Sequence, residues 1–169
     1  VVFQDAFEYY KEVAKEKFGW DPGPENCIGS RYIHVAETTE KAIEECRDAV
    51  MYVRRLSTFS RPVQVPAPVP GLQTDRSYDY RKRSKGAEMP GPGTPFEKLR
   101  ETGFVVCGDP DYVADWLAKD METAGYGHFL GMFRPGTNTH ENVIKSKRLF
   151  AEKVMPKLEN INKTKAAAV

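Results

Sequence analysis

Apolar residues recur along this chain in two rhythms, a three-to-four-residue period and short unbroken runs, which predict helices and strands in alternation. Val113, Leu117, Met121 and Ala124 form the stripe of a helix packed on one face. Ahead of it, the Asp109 carboxylate can accept free N–H groups of the first turn. Pro110 presets φ, and Asp111 sets negative charge against the helix N-terminus. Gly125 offers a left-handed stop. The runs on either side, residues 104–107 and 128–133, are too short for buried helices and read as buried strands. Thr139 then caps a last helix with Val143, Phe150 and Val154 on one side. Pro156 is expected to end it, because its ring clashes with the preceding turn and it has no N–H.

The N-terminal half repeats the pattern. Phe7, Tyr10, Ala14 and Phe18 make a helical stripe behind Asp5, and Trp20-Asp21-Pro22-Gly23-Pro24 breaks it. Residues 31–36 read as a third strand. Thr38 caps a helix that buries Ala42, Ile43, Cys46, Ala49, Val50 and Val53. Residues 57–98 change character, since seven of the twelve prolines fall between Pro62 and Pro95. A loop of that length inside a compact domain is typically a lid, a binding loop or disorder. The alternation as a whole points to an α/β fold with a parallel sheet.

Several blocks in order carry a resemblance: Val106-Cys107-Gly108-Asp109-Pro110-Asp111-Tyr112-Val113, Lys119 to Gly125, Met132-Phe133-Arg134-Pro135-Gly136, and Lys147 to Pro156. Tyr9-Tyr10 and Tyr32 to Thr38 extend it upstream. Together they resemble the C-terminal end of the bacterial luciferase-like flavin monooxygenases. The resemblance implies a (β/α)8 TIM barrel, with the three strands as its sixth, seventh and eighth. A complete barrel takes about 250 residues, whereas this chain has 169 and begins at Val1 without an initiator methionine. The expectation is a single partial domain over 1–169, with a lid-like insertion at 57–98 and a tail at 159–169. It would be the C-terminal part of a longer protein, or a half-barrel that pairs with another chain.

The implied chemistry belongs to a cofactor. Family members use reduced FMN, supplied by a separate NAD(P)H:flavin reductase, and O2 to oxygenate a small organic substrate. Some relatives use the deazaflavin F420 for hydride transfer, and a non-catalytic flavin-binding or structural half-barrel is a further alternative. A dimer of the full-length protein is expected. In a barrel the more polar set of the first strand, Tyr32, His34 and Ala36, would face the lumen. His34 is thus a candidate contact, although a histidine bonded within the core is the commoner case. Gly108 allows close backbone approach, yet Asp109 already occupies the helix N-terminus. Arg134 ends an apolar strand, where its charge requires water, a carboxylate or a ligand. Phe133 would line a flavin or substrate pocket, or the core. Tyr78, Tyr80, Arg81 and Lys82 are lid candidates, combining cations for a phosphate with aromatics that shed water.

Charge and cysteines exclude several classes. With 25 basic and 24 acidic residues, the net charge of +1 argues against nucleic acid and anionic membrane as partners. No apolar run approaches the ~18 residues of a membrane span. Cys27, Cys46 and Cys107 lack metal-ligand spacing, as do His34, His128 and His140, so no metal is expected and a reducing cytoplasm is the default. No nucleophile-base pair, metal-ligand cluster or phosphate loop stands out, and the catalytic residues stay unassigned.

Overall fold

A computed structural model describes residues 4–59 and 93–159. Three strands, β1 (Ile28–Val35), β2 (Val105–Gly108) and β3 (His128–Met132), form a parallel sheet in the order β2-β1-β3. Residues 32–35 of β1 pair with 105–108, and residues 28–32 pair with 128–132. The helices are α1 (Gln4–Phe18), α2 (Thr39–Phe59), α3 (Phe96–Glu101), α4 (Pro110–Ala124) and α5 (His140–Leu149). A π turn (Phe150–Val154) prolongs α5 into a further helical stretch at 155–159.

The strand order corrects one expectation. Consecutive strands of a (β/α)8 barrel lie side by side, which would place β2 in the middle; β1 is there instead. At eight residues against four and five, β1 is long enough to pair with both shorter strands along different halves. The second crossover therefore passes over β1 to its far side. Right-handed crossovers that run in opposite directions put their helices on opposite faces, and the core divides accordingly. Ile33, Val35 and Val106 pack with Val113, Ala114 and Leu117 of α4 and with Phe150 and Val154. Ala36, Val105 and Cys107 pack with Ala42, Cys46 and Val50 of α2 and with Phe96 and Leu99 of α3. The set containing Tyr32, His34 and Ala36 thus lies under α2 and α3 and lines no lumen.

Most of the punctuation is where the sequence puts it. Asp109 caps α4 behind Pro110, Gly125 takes φ 71°, and Thr139 Oγ1 accepts the Asn142 N–H. Pro156 does not end the last helix. The Met155 N–H reaches back to the Phe150 carbonyl, an i→i+5 bond, and this wider turn just ahead of the proline relieves the clash of its ring with the preceding carbonyls. Among the described side chains of α1 only Ala14 is fully buried, whereas Phe18 is exposed; Phe7 instead meets the edge of Tyr126. Helix also occupies both ends of the expected 57–98 loop, since α2 runs to Phe59 and α3 opens at Phe96. The expected tail, from residue 160 onward, lies outside the described residues.

A charged cluster unmarked in the sequence ties β1 to α4. Arg31 Nη2 meets the Asp120 carboxylate at 2.9 and 3.0 Å, Tyr126 donates to the same carboxylate at 2.6 Å, and all three residues are buried. Desolvation, then the Asp120 hydrogen bond, pushes the Tyr126 hydroxyl far above its ordinary value. The two edges of the sheet differ. Gly108 O turns inward to accept the Ala36 N–H, so the Cys107 carbonyl points outward, where Arg100 Nη2 covers it at 3.2 Å. Along β3, Leu130 is 58% and Met132 36% exposed, with Ile28 beside them at 61%.

Candidate functional site

The C-terminal ends of the strands bring together the loop after β1, the capping turn after β2 and residues 133–139 after β3. At the second of these, Asp109 Oδ1 accepts the N–H groups of Asp111 and Tyr112 at 3.0 and 2.9 Å. Its Oδ2 accepts the Thr39 hydroxyl at 2.7 Å, and its own N–H donates to the Thr39 oxygen at 3.2 Å. The Tyr112 N–H, followed by the Thr39 hydroxyl, holds the Asp109 carboxyl below its usual range. The donors that make a helix N-terminus an anion site are therefore already used. Gly108 leaves no opening either: a Cβ there would lie 2.5 Å from Tyr112 Cδ1 and 3.1 Å from Thr39 Oγ1.

A cleft of about 570 Å³ lies over this turn. Glu37, Glu40, Asp109 and Asp111 line it against Lys153 and Lys157, and Lys157 is already paired with Asp111. Glu37 is committed outward, to Lys145 at 2.8 Å and Lys41 at 3.2 Å. The Lys145 bond, then a backbone N–H, then Lys41, brings its carboxyl down to about 2. The cleft is thus negative on balance, and two of its acidic groups, Glu37 and Asp111, already have lysine partners.

Between β1 and β3, where the winding direction reverses and open α/β sheets commonly receive ligands, the space is filled from within. His34 is fully buried; its Nε2 lies 2.8 Å from Glu45 Oε2 and its Nδ1 3.3 Å from Asn138 Nδ2. Ser146 of α5 accepts the Val35 N–H at 2.8 Å, beyond the end of β3. Phe133 sits edge-on to Phe150 at 5.1 Å, packed against the core. Arg134 is exposed and forms no ion pair with a described residue.

The sequence-predicted residues are accordingly not brought together. Gly108 ends one outer strand, Phe133 and Arg134 follow the other, and buried His34 lies between them. Tyr78, Tyr80, Arg81 and Lys82 fall outside the described residues. Thr39, Asn138 and Ser146 carried no local signal, because their partners are far along the chain; Thr39 and Asp109 are 70 residues apart, and Val35 and Ser146 are 111 apart. Glu45 meets His34 only 11 residues away, but across a strand-to-helix connection that no local pattern marks. Among the described residues, no group of three or more His, Cys, Asp or Glu could hold a metal ion. No helix among them is long and apolar enough to cross a membrane.

No family model matches the chain, and no curated protein matches it. Among solved structures it is similar to a type II Baeyer-Villiger monooxygenase, the oxygenating constituent of 3,6-diketocamphane monooxygenase from the CAM plasmid of Pseudomonas putida, in complex with FMN. The TM-score is 0.61 at 19% identity. The likeness is one of fold. It covers 92% of this chain and 40% of that one, so the chain spans less than half the length of the protein it resembles. The described residues do not fit a flavin phosphate, because the strand-end cleft is acidic, the α4 N-terminus is closed by Asp109, and both nitrogens of His34 are already engaged.

Proposed function

We propose that the chain is a sector of a luciferase-like flavin-dependent monooxygenase, which uses reduced FMN and O2 to oxygenate a small organic substrate. The likeness to an FMN-bound oxygenating constituent carries this reading, since it takes in 92% of the chain. The linked sequence blocks from Val106 to Pro156 support it independently. Because that relative is the oxygenating constituent of a monooxygenase, a separate NAD(P)H:flavin reductase is the natural partner of this protein.

Within such an enzyme the described residues act as framework. The flavin contacts come from elsewhere in the protein, because Asp109, Thr39, His34 and Asn138 at the strand ends are bonded to other protein groups and the cleft beside them is acidic. The same observation favours one alternative, a structural half whose partner segment or partner chain carries the chemistry. The test compares this 169-residue chain with the product of its complete coding sequence, each supplied with FMN, NAD(P)H and a flavin reductase. The complete product is expected to bind FMN and to show substrate-stimulated oxygen uptake, and this chain to do neither. A complete product that binds no flavin would sink the monooxygenase reading; turnover by this chain would sink the framework reading.

A further inference from the structure

Two of the three cysteines meet inside the molecule. Cys46, on the buried stripe of α2, and Cys107, on β2, are both sealed from water and pack in one cluster with Val50, Val105 and Leu99. Both are free thiols, and they are hydrogen-bonded to each other. Cys27 lies apart, in a second cluster with Ala124 and Tyr126.

A cation stands beside the pair. Arg100 of α3 donates from Nη2 to the Cys107 carbonyl at 3.2 Å and also bonds the Cys107 thiol, while its Nε is buried without an acceptor among the described residues. A buried guanidinium N–H left unpaired is costly unless an anion lies within reach. A Cys107 thiolate is such an anion, with the Cys46 S–H as its donor. That hydrogen bond lowers the Cys107 thiol from its ordinary value; burial works against it, and the Arg100 charge with it. The same bond, followed by burial, pushes Cys46 up. The two thiols therefore differ in role, Cys107 as the nucleophile and Cys46 as the group that resolves. Around them, Arg47 on α2 adds positive charge, Glu45 on the same helix acts on Cys46, and His34 on β1 is the register partner of Cys107. From α4, Tyr112 lies under the Arg100 guanidinium at 5.3 Å.

We propose that Cys46 and Cys107 are an oxidation site: hydrogen peroxide converts them into a disulfide that staples α2 to β2, and Arg100 directs the first attack to Cys107. The Cys107 sulfur attacks one peroxide oxygen and breaks the O–O bond, giving a sulfenic acid and a hydroxide that takes up the Cys107 proton as water. The Cys46 sulfur then displaces the second hydroxide from Cys107, and its own proton leaves with that hydroxide as water. Two thiols are oxidised and one peroxide is reduced to two waters. Entry is controlled by α3, whose Phe96 and Leu99 pack over the pair. Its six residues are too few to persist as a helix alone, and Pro95 supplies no side-chain cap. Lifting α3 admits peroxide without unfolding the sheet.

The test treats the folded 169-residue chain with hydrogen peroxide and maps its peptides without reduction. The expected product joins the Cys46 and Cys107 peptides, is two hydrogens lighter than the thiols, and is reversed by dithiothreitol, with Cys27 still a thiol. Free thiols at both positions, sulfinic or sulfonic acid without the link, equal oxidation of Cys27, or a link formed only in denaturant overturns the proposal. Cys46→Ser should stop the reaction at a Cys107 sulfenic acid that dimedone traps, whereas Cys107→Ser should leave Cys46 unmodified; ready oxidation of Cys46 in the second variant overturns the assigned order. Arg100→Gln should slow the link about tenfold near neutrality and regain the wild-type rate in alkali, where Cys107 ionises without help; a wild-type rate at neutrality overturns its role. The wild-type chain alone tests entry. Urea below the unfolding transition should speed the link in step with exchange of the Leu99 amide, which is bonded to the Pro95 carbonyl at 3.1 Å; a rate that follows only global unfolding overturns the α3 route.

Discussion

Arg31 and Asp120 show how much a single buried contact can decide in this molecule. Each is nearly sealed from water and serves as the other's counter-ion, so removing one leaves an uncompensated charge. Arg31→Met is expected to cost about 3 to 5 kcal/mol in urea unfolding, and the double variant Arg31→Met with Asp120→Leu much less, because no orphan charge remains. Asp109→Ala removes the cap from two N–H groups and should cost about 1 kcal/mol. Acid acts on the same class of group. Glu37 and Asp109 both have lowered carboxyl pKa values, so their contribution is present above the ordinary carboxylate range and is lost as pH falls, for Glu37 on the way to about 2. The melting temperatures of wild type and Glu37→Gln should therefore differ near neutrality and converge in strong acid; a constant gap would mean that the Lys145 link contributes nothing.

At the level of elements, what could be read from sequence was what short-range chemistry controls. Asp109, Pro110 and Gly125 bound α4 as their chemistry requires, since cap, preset φ and left-handed stop all act within one turn. Pro156 misled for a related reason: its local rule holds for an α-helix, and the π turn ahead of it changes the geometry the rule assumes. Strand order was not legible, because which edge β3 joins depends on the length of β1 and on packing over both faces. The Thr39, Asn138 and Ser146 contacts were hidden because they too join residues far apart in the chain. Gly136 lies where an element turn and close packing coincide, at φ 46°, and a Cβ added there would lie only 2.7 Å from the Ala49 carbonyl. Gly136→Ala should lower stability by more than the ~1 kcal/mol typical of strain alone and detach the loop from α2; an unchanged melting temperature would contradict this.

Across the described residues, the three-stranded parallel sheet is covered on both faces around β1 and β2, while one face of β3 is left exposed. Arg100 screens β2, while β3 presents Leu130 and Met132 beside Ile28. Such an exposed apolar face favours self-association. Leu130→Lys should reduce light scattering of the concentrated chain while leaving its melting temperature nearly unchanged; undiminished scattering would locate the association elsewhere. The central proposal concerns function: that the described residues are framework of a flavin monooxygenase and do not hold the flavin themselves. The most direct measurement is FMN fluorescence on titration with this chain and, in parallel, with the product of its complete coding sequence. Saturable quenching by the complete product and none by this chain is the predicted result, and tight FMN binding by the 169-residue chain alone would contradict it.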